Sequence, residues 1–140
     1  MIRVLGIDHI VLRTTDLQRM LRFYRDVLGC QIERTLAELG LVQLRAGTAL
    51  IDLVPVDSPL GKAGGGPPRQ DGRNMEHLCL LIESVDEGKL IPWLSNQGIV
   101  CEPFAERYGA DGFGRSIYVK DPEGNIIELK LANYNPDQPA

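Results

Sequence analysis

Apolar and polar residues alternate in several short runs of the chain, and one longer run shows helical spacing instead. The stretch GIDHIVLRT, residues 6–14, is rich in β-branched residues and predicts a strand. In residues 16–29, DLQRMLRFYRDVLG, apolar side chains recur every three or four positions, which predicts a helix. Asp16 is its predicted N-cap and Gly29 its end. Three β-like runs follow in residues 30–56.

The second half of the chain repeats this order. Residues 74–82, NMEHLCLLI, predict a strand, and residues 85–98 predict a helix that contains Pro92. Three further strands are predicted after that helix, in residues 99–106, 114–121 and 125–132. The recurrence indicates a duplicated βαβββ unit and therefore an α+β fold.

A segment rich in glycine and proline separates the two halves. Its sequence, DSPLGKAGGGPPRQDGR, has few large apolar residues and predicts a flexible linker or mobile loop. We predict a single domain over residues 1–140, with a first module at about 3–56, the linker at about 57–73 and a second module at about 74–131. The remaining residues, 132–140, predict a frayed tail.

The two histidines begin equivalent strands, His9 in DHIVL and His77 in EHLCL. Strand residues alternate between the two faces of a sheet. Both histidines therefore fall on the face opposite the aliphatic residues, and so do the mid-strand carboxylates Asp52 and Glu128. A carboxylate inside an aliphatic strand is costly unless it is paired or bound to a metal. Two imidazoles and two carboxylates suit one divalent cation such as Zn, Ni, Fe or Mn. The pattern leaves open ordinary hydrogen-bonded histidines and edge-strand carboxylates that face water.

Composition narrows the class of function. The chain has 140 residues, of which 44% are hydrophobic and 24% charged, as in ordinary globular proteins. A formal net charge of -4 without a basic cluster disfavours nucleic acid as a partner. No apolar stretch approaches the ~20 residues of a membrane span, and the N-terminus lacks the features of a signal peptide. Three widely spaced cysteines fit reduced thiols, so we expect a cytoplasmic protein.

Two motifs carry a resemblance to a known family. The stretch DHIVLRTTDLQRMLRFYRDVLGCQIE resembles the opening motif of the vicinal oxygen chelate superfamily. The stretch SIYVKDPEGNIIEL resembles the closing DPxGNxxE motif of the same superfamily. This superfamily includes glyoxalase I, fosfomycin-resistance proteins, extradiol dioxygenases and bleomycin-resistance proteins. The resemblance spans roughly residues 3–131. It implies two tandem βαβββ modules that form a cupped mixed sheet around one metal ion, often in a homodimer.

The resemblance also assigns roles to individual residues. By position, it implies that His9, His77 and Glu128 are metal ligands. Asp52 falls where glyoxalase I has a glutamate. Since aspartate is one methylene shorter, Asp52 binds the ion directly, binds it through water, or does not reach it. Glu128 and Asp52 are the candidate catalytic bases. Arg13 falls where bacterial glyoxalase I has an arginine that contacts glutathione, so it is the candidate substrate-binding residue, the alternative being a surface charge.

The function implied by the resemblance is that of a metal-dependent, glyoxalase-I-like lyase or isomerase. Such an enzyme acts on a small oxygen-chelating substrate through a metal-stabilised enolate, with glutathione as a candidate cosubstrate. The alternatives are a fosfomycin-type thiol transferase, an iron-dependent extradiol dioxygenase and a non-enzymatic, drug-sequestering protein of the bleomycin-resistance kind. The sequence leaves open the metal, the substrate and whether the modules pair within one chain or between two.

Overall fold

The computed structural model describes residues 1–132 and divides the chain into two compact units, Met1–Asn74 and the residues from Met75 onward. Each unit contains one four-stranded mixed sheet. Most of the predicted tail, residues 133–140, lies outside the described residues. Within the described range, every helix is too short or too polar to span a lipid bilayer.

The first unit follows the order strand, helix, three strands, and then adds a short helix. Its elements are β1 (His9–Thr14), α1 (Leu17–Leu21) with a π-helical continuation (Arg22–Val27), β2 (Gln31–Leu36), β3 (Leu41–Ala46), β4 (Ala49–Pro55) and α2 (Pro59–Ala63). The strand order in the sheet is β1-β4-β3-β2. The β1–β4 pair is parallel and the other two pairs are antiparallel, so β4 is an interior strand.

The second unit repeats this topology. Its elements are β5 (Leu78–Ile82), α3 (Glu87–Asn96), β6 (Ala105–Gly109), β7 (Gly112–Lys120) and β8 (Ile126–Leu131). The strand order is β5-β8-β7-β6, with a parallel β5–β8 pair and β8 in the interior. The predicted α+β fold of two tandem βαβββ modules is therefore confirmed.

The aliphatic face of each sheet carries the core, as the alternation of residue types predicts. The apolar strand residues with at most 2% of their surface exposed are Leu12, Leu44, Ile51 and Leu53 in the first unit and Ile117, Val119, Ile127 and Leu129 in the second. Met20 and Tyr24, on the helical stripe, are also fully buried. Each such side chain contributes about 1.5–3 kcal/mol through burial. The opposite face of each sheet is thereby left for polar side chains.

The predicted strand at residues 99–106 is wrong. In that stretch Cys101 forms only an isolated bridge with Val119, and the strand that pairs with β7 begins at Ala105. Proline has no N–H to donate to a ladder, so Pro103 interrupts the run. The hairpin between β6 and β7 closes through Gly112, whose φ of +88° suits glycine.

The segment predicted as a linker contains the short helix α2, which the composition did not reveal. Ser58 is its N-cap, since the Ser58 hydroxyl accepts a hydrogen bond from Gly61 N at 3.0 Å. Pro59 stands at the first helical position, where a missing N–H costs nothing. Gly61 is needed because a Cβ built there would lie 1.9 Å from the carbonyl oxygen of Pro55. This part of the segment is therefore packed closely against the end of β4.

We expect Gly61→Ala to lower the free energy of unfolding by about 2 kcal/mol, because the backbone of Pro55 leaves no room for a methyl group. Gly66→Ala is the matched control, since a Cβ at Gly66 meets nothing within 4 Å. Urea unfolding of both variants measures the difference. Equal stability of the two variants would contradict the close packing of α2 on β4.

Candidate functional site

In the first unit, β1 and β4 place His9 and Asp52 on the same face of the sheet. The parallel register aligns His9 with Leu50 and Val11 with Asp52, so the two side chains lie one diagonal step apart. Asp8 Oδ1 lies 2.5 Å from His9 Nδ1, and this hydrogen bond raises the pKa of His9, to which the charge of Asp52 adds. The arrangement leaves Nε2 of His9 as the other ring nitrogen that can serve as a ligand.

Asp52 is buried rather than an edge-strand charge, with 3% of its surface exposed on interior strand β4. Gln43, directly opposite on β3, donates from Nε2 to both carboxylate oxygens at 3.2 and 3.1 Å. A neutral amide therefore satisfies the carboxylate without neutralising its charge. Gln43 was not nominated from the sequence, since only the strand register shows that it faces Asp52.

In the second unit, the turn DPEGN sets the position of Glu128. Asp121 Oδ1 accepts hydrogen bonds from the backbone N–H groups of Glu123 and Asn125, both at 2.9 Å. Asn125 Nδ2 donates back to Asp121 Oδ2 at 2.7 Å. Both of these turn side chains are buried. The family-like motif is therefore a rigid turn that starts β8, and Glu128 follows on the third residue after it.

Glu128 lies beside His77 and is buried, with 6% of its surface exposed. His77 Nε2 is 3.9 Å from Glu128 Oε1, and the His77 side chain keeps 42% of its surface exposed. Cys79 Sγ donates to Glu128 Oε2 at 3.0 Å. Burial, followed by the hydrogen bond and charge of Glu128, raises the pKa of Cys79 to about 12. The Cys79 thiol is thus a hydrogen-bond donor to the Glu128 carboxylate.

Tyr118 and Arg107 complete this group, and neither was nominated from the sequence. Tyr118 is paired with Glu128 across β7 and β8, and burial, followed by the nearby Glu128 carboxylate, raises the pKa of Tyr118. Its ring meets the His77 ring edge to face, at 5.6 Å between centroids. Arg107 Cζ lies 4.3 Å from the centre of the Tyr118 ring, and the guanidinium donates to Ser116 O at 2.8 Å. Tyr118 is therefore held between a cation and a carboxylate.

A cleft of about 520 Å³ opens beside His77 in the second unit. Tyr118 and Ile126 form part of its wall, and Val100 and Glu102 come from the connection between α3 and β6. Glu102 N donates to Tyr118 O at 3.2 Å, which fastens this connection to β7. The part of the lining that includes Glu102 is thus held against β7 by a backbone hydrogen bond.

Each unit brings one imidazole close to one buried carboxylate, His9 to Asp52 in the first unit and His77 to Glu128 in the second. Among residues 1–132, no group of three or more His, Cys, Asp or Glu side chains is arranged so that it could hold a metal ion. The four-ligand set His9, Asp52, His77 and Glu128 therefore stays a prediction.

The donor chemistry fits a divalent cation nonetheless. Asp52 and Glu128 are both buried, and the hydrogen bonds that they accept come from the amide of Gln43 and the thiol of Cys79. Buried carboxylates of this kind gain most from a nearby positive charge. Imidazole nitrogen and carboxylate oxygen are ligands that Zn, Ni, Fe and Mn accept. The hydrogen bond of Asp8 to His9 is also the type of outer contact that orients a ligating imidazole.

Arg13, the candidate substrate-binding residue, contacts the glycine-rich segment. Its Nε donates to Gly66 O at 3.1 Å, and its second terminal nitrogen donates to Gly61 O at 3.0 Å and also to Gly65 O. A Cβ at Gly64 would lie 2.1 Å from the first terminal nitrogen of Arg13. The glycines therefore let the backbone wrap around the guanidinium. In this arrangement the donors that would bind a substrate carboxylate bind backbone carbonyls, and the binding role stays a prediction.

Comparison with known proteins identifies one family. Residues 6–129 match the family model described as the Glyoxalase/Bleomycin resistance protein/Dioxygenase superfamily. Virulence protein STM3117 of Salmonella typhimurium is 31% identical over 124 residues, covering 88% of this chain and 81% of that protein. Its crystal structure matches with a TM-score of 0.70 at 26% identity, covering 94% of this chain and 100% of the other.

Two enzymes or resistance proteins of known structure share the fold. Lactoylglutathione lyase from Agrobacterium tumefaciens matches with a TM-score of 0.62 at 20% identity, covering 92% of this chain and 95% of its own. Fosfomycin resistance protein FosX from Mesorhizobium loti matches with a TM-score of 0.66 at 19% identity, covering 94% of this chain and 95% of its own. At these identities the likeness concerns the fold alone.

We expect Arg13→Ala to expose the glycine-rich segment to protease, because three backbone carbonyls lose their charged donor. Hydrogen bonds to a charged group contribute about 1.5–3 kcal/mol each when buried, and less here because the contacts are partly exposed. Limited proteolysis with mass mapping measures the cleavage rate within residues 57–73. Arg45→Ala, which removes an exposed pair with Glu33, is the matched control. Equal cleavage in both variants would show that Arg13 does not hold the segment.

Proposed function

Because the chain belongs to the Glyoxalase/Bleomycin resistance protein/Dioxygenase superfamily, we propose that it is a metal-dependent enzyme of the glyoxalase I type. The proposed reaction is a lyase or isomerase reaction on a small substrate with adjacent oxygen atoms. The observation that carries this proposal is the pairing, in each unit, of an exposed imidazole with a buried carboxylate. A drug-sequestering protein has no need to bury such carboxylates at a cost in stability.

The proposed ligands are His9, His77 and Glu128, with Asp52 as the fourth. A bound divalent cation supplies Lewis-acid stabilisation of negative charge on neighbouring substrate oxygens. Asp8 supports this set by fixing the ring of His9 through Nδ1. Cys79 supports it by donating a hydrogen bond to the carboxylate of Glu128. The side chains around the carboxylates thus prepare them for ligation.

Glu128 is the proposed base. Its carboxylate takes a proton from a carbon beside the substrate carbonyl and returns it to the neighbouring carbon, so atoms and charge balance in the isomerisation. Asp52 is the second candidate, for which the hydrogen bonds from Gln43 must open. Burial of both carboxylates limits access of water, which would otherwise compete for the proton.

One observation favours a second candidate function. Because Gln43 binds both oxygens of Asp52, a ligand set of two histidines and Glu128 alone is the simpler arrangement. Two histidines and one carboxylate leave coordination positions open, as in non-haem iron oxygenases. A thiol transferase of the fosfomycin type or an iron-dependent dioxygenase would use such a set. Assays with methylglyoxal plus glutathione, fosfomycin plus thiols, and a catechol under oxygen separate these reactions.

Glutathione stays a candidate cosubstrate, and its binding by Arg13 requires that this side chain first release its present hydrogen bonds. If Arg13 binds the glutathione carboxylate, its guanidinium must leave the carbonyls of residues 61–66. Binding of glutathione would then release this segment. The homodimer and the cytoplasmic location remain proposals of the same kind, supported by the family and the composition.

Removing a residue that only orients a metal ligand typically lowers metal affinity ~10–100-fold. We expect His9→Ala and Glu128→Gln each to lower metal affinity by more than this, because each removes a proposed direct ligand. Elemental analysis after purification without chelator, and titration with Zn, Ni, Fe and Mn, measure the loss. Glu87→Gln is the matched control, since Glu87 pairs with Arg115 at the surface. Turnover retained by either ligand variant would contradict the assigned roles. A wild-type protein that binds no ion would favour the sequestering function.

We expect Asp52→Glu to increase metal affinity or isomerase activity, because the added methylene extends the carboxylate toward the site. Isothermal titration with the metal found in the purified protein measures the affinity. Asp57→Glu, an exposed aspartate just beyond the same strand, is the control. Unchanged affinity in Asp52→Glu would mean that Asp52 stays with Gln43 and does not touch the ion.

A further inference from the structure

The two proposed imidazole ligands are oriented by different contacts. In the first unit, a hydrogen bond fixes the ring of His9, since Asp8 Oδ1 lies 2.5 Å from its Nδ1. In the second unit, His77 Nε2 lies 3.9 Å from Glu128 Oε1, which exceeds hydrogen-bond distance. A ligating imidazole normally has an outer partner that fixes its orientation. The His77 side chain, with 42% of its surface exposed, therefore needs another contact to hold it.

The ring of Tyr118 is that contact. The centroids of the His77 and Tyr118 rings lie 5.6 Å apart, with 80° between the ring planes. Edge-to-face pairs of this kind are favoured because the positive edge of one ring meets the negative face of the other. Tyr118 stands on β7 directly opposite Glu128 on β8, so strand pairing fixes the point from which its ring extends. Rotation of either ring would break the pair, so the orientation of His77 depends on that of Tyr118.

Arg107 in turn fixes the ring of Tyr118. Its Cζ lies 4.3 Å from the centre of this ring, within the ~6 Å range of a cation–π contact. The guanidinium is itself anchored, because Nη1 donates to Ser116 O at 2.8 Å and to Ser116 Oγ at 3.0 Å. Ser116 is fully buried. Gly114, the partner of Arg107 across β6 and β7, has no side chain that could stand in the way. The guanidinium therefore covers the Tyr118 ring from a fixed position.

We propose that Arg107 is a positioning residue that acts on His77 through Tyr118. The cation holds the phenol ring, and the phenol ring holds the imidazole in one orientation. Arg107 and Tyr118 thus do in the second unit what Asp8 does in the first. The inference rests on the proposed function only in treating His77 as a metal ligand, since the ring contacts do not require an ion.

Nuclear magnetic resonance of the imidazole C–H groups tests this orientation directly. The chain has two histidines, so the spectrum of untagged protein treated with EDTA contains two sets of imidazole signals, which His9→Ala assigns. An aromatic ring shifts the resonances of protons held against it, and Tyr118→Leu gives the signal positions without this contact. We expect Arg107→Met to move the His77 signals at least halfway to those positions and to leave the His9 signals in place.

Two further variants distinguish positioning from a general loss of packing. Arg107→Lys should keep most of the shift, because an ammonium group also binds the face of an aromatic ring. Arg115→Met should leave the His77 signals in place, since Arg115 lies 6.0 Å from the centre of the Phe104 ring and pairs with Glu87. Circular dichroism checks that each variant is folded. Unmoved His77 signals in folded Arg107→Met, or equal movement in Arg115→Met, would overturn the proposal.

Titration with Zn connects this positioning to the proposed function. Loss of an outer contact to a ligating histidine typically lowers metal affinity ~10–100-fold, so we expect Arg107→Met to weaken Zn binding about tenfold and Arg115→Met to leave it unchanged. Isothermal titration measures both. If the wild type binds Zn and Arg107→Met binds it equally well although its His77 signals have moved, the positioning role is overturned. A wild type that binds none of Zn, Ni, Fe and Mn would contradict the proposed function, whereas movement of the His77 signals would still support their dependence on Arg107.

Discussion

A carboxylate on an interior strand of a sheet must keep polar partners, and this requirement organises both units of the protein. Asp52 and Glu128 each stand between aliphatic neighbours whose side chains form the core on the other face. Burial removes water from these groups, so the residues opposite them must donate hydrogen bonds. Gln43 does so in the first unit, and Cys79 does so in the second. The face of each sheet opposite the core therefore carries the residues that donate hydrogen bonds to these carboxylates.

The two units share a topology and differ in what surrounds the carboxylate. In the first, a single amide holds Asp52, and the nearby arginine, Arg13, is engaged by the glycine-rich segment. In the second, a thiol, a phenol and an imidazole surround Glu128, and Arg107 stacks on the phenol. The second unit also contains the cleft beside His77. The chemistry proposed for this protein is therefore asymmetric, with more of it in the second unit.

Family membership and the reaction rest on different features of the molecule. The range that matches the superfamily, residues 6–129, includes both βαβββ units and the turn before β8, where Asn125 donates a hydrogen bond to Asp121. A fold of this kind supports many reactions, so the reaction depends on the residues of the site.

The sequence by itself determined the faces of the sheets and most of the elements, but not helix α2 or the start of β6. Helical spacing marked the stripe that includes Met20 and Tyr24, and alternation placed Ile127 and Leu129 in the core, because both depend only on local periodicity. The residues that surround the carboxylates were decided by the tertiary structure. Alternation gives the face of a side chain but not its neighbour on the next strand, which is why Gln43 and Tyr118 became visible only through strand register. Composition likewise predicted a loop where α2 lies. A high glycine content does not show that the backbone of this segment folds around the guanidinium of Arg13.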